Sequence, residues 1–506
     1  MTLKLLLHSS ALCAVLVSAA HAEVRLPKVL GSHMVLQRER PIHIWGWSDP
    51  GEKVSVTLGN ASSSAAGDRL GHWSLSLPPQ PAGGPFQLTL QGANRIVLGD
   101  ILIGDVWFAS GQSNMEMPLA GFPGSAVVKD AAQEIARANH PDVRLLLVKR
   151  KASSFPLNDI ETEAGWTACT PESAAKFSAV AYFFGRGISE QEHVPVGLID
   201  STWGGTPAEA WTSMNGIAAD PGLMPVFAAR AEMIDEQTNL EAAVAAEKRE
   251  DAEAHARNQL PPKHTWHPGL DPWDPSWLYN GMVAPFTPYA IRGVIWYQGE
   301  SNAGPARASL YGKLFPAMIA DWRSHWGQGV FPFLFVQIAN FNAGPKDDWS
   351  LVREAQRRTL SLADTGMAVT IDIGDPDNVH PSDKQTVGAR LALAARALSY
   401  HENVEYSGPA FREMSLENSR IRVWFDHAAG LTARGGAPEG FEVAAADRRF
   451  VPATARIEGE SILVASPQVE HPEYVRYGWQ NVPAVNLYNS GGLPASPFTS
   501  EPSFVP

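Results

Sequence analysis

Three stretches of the chain hold residues whose types and spacing suit acyl transfer. Phe108-Ala109-Ser110-Gly111-Gln112-Ser113-Asn114-Met115 sets Ser113 just past an apolar run, beside a glycine that lets other backbone approach. Val294-Ile295-Trp296-Tyr297 runs into Gln298-Gly299-Glu300-Ser301-Asn302, which offers side-chain amides and an acid. Gly374-Asp375-Pro376-Asp377-Asn378-Val379-His380-Pro381 carries an acid and a histidine three apart. A serine hydroxyl is a weak nucleophile at neutral pH and needs a base. His380 suits that task, because imidazole titrates near ~6.5 and can pass a proton on. Asp377 is close enough in the chain to fold onto one ring nitrogen and leave the other for Ser113.

Acyl transfer also needs donors for the oxyanion, and losing one raises the barrier by roughly 3–4 kcal/mol. The expected donors are the Ser113 N–H, an N–H from Gly204 or Gly205, and a side-chain amide from Gln298 or Asn302. Competing chemistries lack their signatures. There is no Gly-x-Ser-x-Gly elbow and no His-Glu-x-x-His zinc motif. His264 and His267 have no evident third ligand, so neither a metal nor another cofactor is expected. Cys169 has no adjacent base and reads as structural.

The elements that must position these groups follow from patterning. Val106–Ala109, Val143–Val148, Val196–Asp200, Val294–Tyr297 and Val369–Ile373 read as buried strands, and Ala179–Glu192 reads as a helix. Alternating strands and helices predict an α/β fold with a parallel sheet, whose sites lie at the carboxyl ends of the strands. Ser382-x-x-Gln385 is a capping-box pattern that would open the helix after His380. Residues 23–98 alternate like a small antiparallel sandwich: Val54, Val56 and Leu58; Trp73, Leu75 and Leu77; Phe86, Leu88 and Leu90. The expected hydrolase domain spans 99–405, with a helical insertion at about 222–275 rich in Ala, Glu, Arg and Lys. Trp266, Trp273, Trp277 and Tyr279 follow that helix and offer faces for sugar rings. Residues 406–506 return to alternation and form a C-terminal β-module.

Met1–Ala22 reads as a secretory signal: Lys4, an apolar run, then Ala20-His21-Ala22. The mature chain would begin at Glu23 with one cysteine, which suits a secreted protein of the bacterial periplasm. The net charge of −13 without basic clusters argues against nucleic acid and anionic membranes as partners. Oligomeric state is not legible.

Several of these motifs together resemble the SGNH hydrolase superfamily and, within it, the sialate O-acetylesterase family. They are Gly111-Gln112-Ser113-Asn114-Met115, Trp203-Gly204-Gly205-Thr206-Pro207, Trp296 to Asn302, Asp377-x-x-His380 and the C-terminal Asn486-Leu487-Tyr488-Asn489. The resemblance implies an SGNH-type three-layer hydrolase flanked by N- and C-terminal β-modules. It implies a triad of Ser113, His380 and Asp377, with Glu300 as the rival acid, acting on acetylated carbohydrate. Trp203, Trp296, Tyr297 and Arg353 become substrate-binding candidates. Sialic acid is the sugar the family implies; acetylxylan and other plant glycans are the alternative, and a glycan-binding protein without turnover is the alternative of another class. The superfamily's Gly-x-Asn-Asp block is absent, and Gln298-Gly299-Glu300-Ser301-Asn302 stands in its place.

Overall fold

A computed structural model describes residues 23–236, 240–257, 259–262, 264 and 271–502. The proposed leader, Trp266 and His267 lie outside the described residues.

The centre is a sheet in the order Thr365–Ala368, Phe333–Val336, Gly293–Tyr297, Arg95–Gly111, Val196–Thr202, His140–Val148, Thr162–Cys169. Neighbours pair in parallel except Thr162–Cys169, which runs antiparallel at one edge. Parallel strands covered on both faces need side chains that are apolar in both directions. Val106-Trp107-Phe108-Ala109 meets this need, and all four are fully buried. Trp107 packs edge-on to Phe184 of the helix Ala179–Glu192, with ring centroids 4.9 Å apart. Phe108 turns the other way, onto Trp322 of the helix Pro305–Trp326 at 5.7 Å. Helices thus cover both faces in an α/β arrangement of three layers.

Register decides where the chemistry emerges. Gly111 lies opposite Thr202 on one side and Tyr297 on the other. Three strands therefore end at one level, and the loops beginning at Gln112, Trp203 and Gln298 leave the sheet together. The expected strand Val369–Ile373 is displaced: the strand is Thr365–Ala368, and Val369–Ile373 has already left the sheet. Thr370 donates its hydroxyl to the Gln337 carbonyl, and Asp372 pairs with Arg390 at 2.7 Å, so polar contacts draw this apolar-looking run away from the ladder. The helix Lys384–Leu398 is capped by Asp383, which accepts from the Thr386 N–H at 3.0 Å, and not by Ser382.

The long strand Arg95–Gly111 also serves the N-terminal module. Its first half pairs antiparallel with Gly83–Gln91 and parallel with Val35–Gln37. The boundary expected near residue 98 thus falls inside a strand. A second small sheet, Ile42–Trp47 with His72–Leu77, completes the sandwich. In the insertion, the described residues form the helices Pro225–Glu236 and Leu240–Ala256. The C-terminal module has its own core around Ile421, Val423, Val443 and Val475. It docks on the helix Trp349–Thr359, where Glu354 accepts from the Thr499 N–H at 3.4 Å, and on the end of the strand Phe333–Val336, where Gln337 donates to Ser496 at 2.9 Å.

Candidate active site

Ser113 opens a one-turn helix, Ser113–Glu116, directly after the central strand. Gly111 makes this exit available: its φ is +133°, and a Cβ there would stand 2.2 Å from the Tyr297 carbonyl oxygen. The Gln112 N–H instead donates to that carbonyl at 3.0 Å. As the first helical residue, Ser113 presents an N–H with no acceptor within its own helix.

Ser113 Oγ lies 2.8 Å from His380 Nε2, although the two are 267 residues apart in the chain. The His380 N–H donates to Asn378 Oδ1 at 3.0 Å, and its ring meets Phe122 edge-on at 5.3 Å. Asn114 couples the two loops. Its Nδ2 donates to the Val379 carbonyl at 2.9 Å and to Glu300 Oε1 at 2.6 Å, while its Oδ1 accepts from Lys384 Nζ. One amide therefore holds the serine helix, the histidine loop and the Gln298–Asn302 loop together.

Burial and this local charge set the titrations. His380 is pushed down to about 4, first by burial and then by the Lys384 charge. Burial likewise lowers Lys384 to about 7, against the opposing pull of Glu300. Glu300 is raised by burial, which outweighs its bonds and the lysine. At neutral pH His380 is thus an unprotonated imidazole facing a hydroxyl. Cys169 is buried and pushed up to about 11, consistent with an inert thiol.

The other expected residues divide sharply. Asp377 is exposed and makes no ion pair or hydrogen bond with His380; its own N–H donates to Asp375 Oδ1 at 2.9 Å. Gly204 packs against Ser113, since a Cβ on it would lie 3.2 Å from Ser113 Cβ. Its N–H is already engaged by Glu116 Oε2 at 2.8 Å, whereas Gly205 follows in the left-handed region with φ +69°. Neither expected amide reaches the serine as a donor. Gln298 Nε2 is bonded to Asn302 Oδ1 at 2.6 Å and to the Thr206 carbonyl at 3.2 Å. Asn302 Nδ2 donates to Glu209 at 2.8 Å. Both are buried ties between loops.

Trp203 is half-buried beside Gly204, with the Arg150 guanidinium over its ring at 5.7 Å. Trp296 and Tyr297 are core residues: both are fully buried, Trp296 between Trp211 and Trp322. Strand alternation turns them into the layers on either side of the sheet, where the Tyr297 ring lies 5.6 Å from Lys384 Nζ. Arg353 is fully buried as well, and donates to the carbonyls of Ile338, Ala339, Gln480 and Asn481. It joins the hydrolase sheet to the C-terminal module and has no face for a sugar.

The sequence gives Asn114 no role of its own and does not mark the Glu116–Arg150 pair. Lys384 left a signal: it opens a helix, where the helix dipole disfavours a cation. A lysine placed against that preference has another reason to be there.

A hydroxyl held against an imidazole at the carboxyl edge of a parallel sheet, within a doubly covered α/β fold, defines a hydrolase-type protein. Comparison narrows the class. Residues 262–397 match the family described as carbohydrate esterase, sialic acid-specific acetylesterase. The chain is 30% identical to the sialate O-acetylesterase of Rattus norvegicus, over 94% of either chain. It is also 30% identical to that of Homo sapiens, over 94% of this chain and 92% of the human one. A solved carbohydrate acetylesterase from Xanthomonas citri superimposes with a TM-score of 0.81 at 38% identity, covering 95% of this chain and 100% of the other. The chain belongs to the sialate O-acetylesterase family, and is a carboxylic ester hydrolase.

Proposed function

We propose that the protein is a secreted serine esterase that removes O-acetyl groups from carbohydrates, with Ser113 as nucleophile and His380 as base. The 2.8 Å contact between Ser113 Oγ and His380 Nε2 supports this reading more than any other observation. Ser113 Oγ attacks the acetyl carbonyl while its proton passes to Nε2, and the carbonyl electrons move onto oxygen. The oxyanion is received by the N–H groups of Ser113 and Gly205. Collapse breaks the bond to the sugar oxygen, which takes the proton from His380. Water then adds to the acetyl-serine by the same route, giving acetate and restoring the hydroxyl. A base must be unprotonated to begin the cycle, and the lowered pKa of His380 provides that.

Asp377 is the acid assigned to the ring. Its carboxylate is solvated and uncommitted among the described residues, and the loop to His380 is short, so it can close on Nδ1 when substrate fills the cleft. Catalytic hydrogen bonds often tighten only in the complex. Glu300 is bound to Asn114 and stands as a positioning residue. Residues 1–22 carry the leader pattern that supports secretion.

Acetate release from p-nitrophenyl acetate by wild type, Ser113→Ala and Asp377→Asn tests the assignment. Loss of about 10³-fold or more in Ser113→Ala, and of at least 10-fold in Asp377→Asn, is expected. Wild-type rates in Ser113→Ala would remove the site.

A further inference from the structure

The N-terminal module turns an aromatic strand face toward the hydrolase, and the ester chemistry makes no use of it. Elsewhere in the module the outward strand positions carry small polar residues such as Ser55, Thr57, Ser74, Ser76 and Thr89. The strand Ile42–Trp47 departs from that rule. Ile42, Ile44 and Gly46 are buried, while His43, Trp45 and Trp47 share the half-buried face. Docking explains part of this: His43 stacks on Trp45 at 5.2 Å, and Trp45 meets Tyr289 edge-on at 6.4 Å. Trp47 stands beyond that contact, with no ring packed on it among the described residues.

Trp47 lines a cleft of about 690 Å³ between the module and the hydrolase. That volume lies within the ~300–1,000 Å³ of ordinary ligand sites. Trp45 and Tyr279 add aromatic surface, and the cleft shares no residue with the Ser113–His380 site. No lysine or arginine lines it among the described residues, and its one carboxylate, Asp68, faces His72 at 3.8 Å. Its polarity comes instead from two imidazoles. His43 Nδ1 lies 3.1 Å from the Pro288 carbonyl, and His325 Nδ1 lies 2.9 Å from the Asp321 carbonyl. A carbonyl only accepts, so each Nδ1 carries the hydrogen, and Nε2 of the neutral ring is left as an acceptor. His325 is exposed and rests against the Tyr279 ring at 5.2 Å.

We infer that this cleft is a second binding site, separate from the catalytic pair, for the uncharged and hydroxyl-rich chain of a polysaccharide. The faces of Trp47 and Tyr279 cover the apolar faces of sugar rings, and the two Nε2 atoms accept from their hydroxyls. Without a lysine or arginine the cleft has no strong partner for a phosphate or carboxylate. Such a site retains a long chain by adding a second contact to it, and leaves the hydrolysis of a small ester unchanged.

Calorimetric titration of the full protein with unacetylated xylohexaose and cellohexaose tests this, because neither sugar carries an ester. Binding of at least one of them with Kd below about 1 mM is expected. Trp47→Ala should weaken that binding about 10-fold or more, and His325→Ala about 3-fold, with kcat/KM for p-nitrophenyl acetate unchanged in both. The exposed His325 serves if Trp47→Ala does not fold. Failure of the wild type to bind either sugar overturns the inference, as does unaltered binding in both variants. A matching fall in p-nitrophenyl acetate hydrolysis would deny that the site is separate. Self-association of the wild type that Trp47→Ala abolishes, with no sugar bound, would make a second copy of the chain the occupant and overturn it as well.

Discussion

At the scale of residues, the proposed reacting pair is small and the support around it large. Ser113 and His380 were legible because a hydroxyl, side-chain amides and an acid–histidine pair each follow an apolar run, and the structure brings the two to 2.8 Å. Their supporting cast was not legible, since an amide such as Asn114 looks the same in a solvated loop as in a buried clamp. Two of the substrate-binding candidates lie in core for a related reason. Trp296 and Tyr297 sit in a motif, yet in a doubly covered strand both directions point into core. Lys384 offers the sharpest consequence at this scale. A cation near His380 disfavours imidazolium, so the acid limb of the kcat/KM profile should fall near pH 4 and not near the ordinary histidine value. Lys384→Met removes that repulsion, and the limb should move to higher pH, read from kcat/KM between pH 3 and 8. An unmoved limb would show that burial alone sets the histidine.

At the scale of elements, the site depends on three strands ending at one level. The apolar runs announced most of those strands, because parallel strands buried on both faces need continuous hydrophobic sequence. Thr365–Ala368 escaped notice since Thr-Gly-Met-Ala has little strand character, whereas the more convincing Val369–Ile373 is held off the sheet by Thr370 and Asp372. Gly111 is the hinge of the arrangement. Gly111→Ala would force a Cβ against the Tyr297 carbonyl and hold a side chain at positive φ. The expected cost is about 2–4 kcal/mol of stability in denaturant melts. Activity should fall at least 100-fold, because the strand carrying the serine is pushed from the strand carrying Gln298. Wild-type stability in this variant would show that the strands can separate without harm.

At the scale of the whole molecule, the β-modules are parts of the hydrolase and not appendages. The N-terminal module shares the strand Arg95–Gly111 with the central sheet, and the C-terminal module is tied by Arg353 through carbonyls on both sides. Composition alone suggested three pieces, since alternation of period two gives way to strand and helix and then returns. It could not show that one strand serves two sheets, because a strand's sequence does not name its partners. Arg353→Met should strand several buried carbonyls without donors, each worth about 1–3 kcal/mol. A lowered urea midpoint for unfolding of the whole chain is expected, with loss of the hydrolase signal and the module together. Separate transitions, with the hydrolase unaffected, would mean that the arginine joins nothing.

The most direct measurement is covalent. A fluorophosphonate should modify the wild-type protein once, on the peptide containing Ser113, as read by mass spectrometry after digestion. His380→Ala should slow that labelling by at least 100-fold, because the hydroxyl loses its base. Modification of another residue, or labelling of Ser113 at the wild-type rate without the imidazole, would contradict the account.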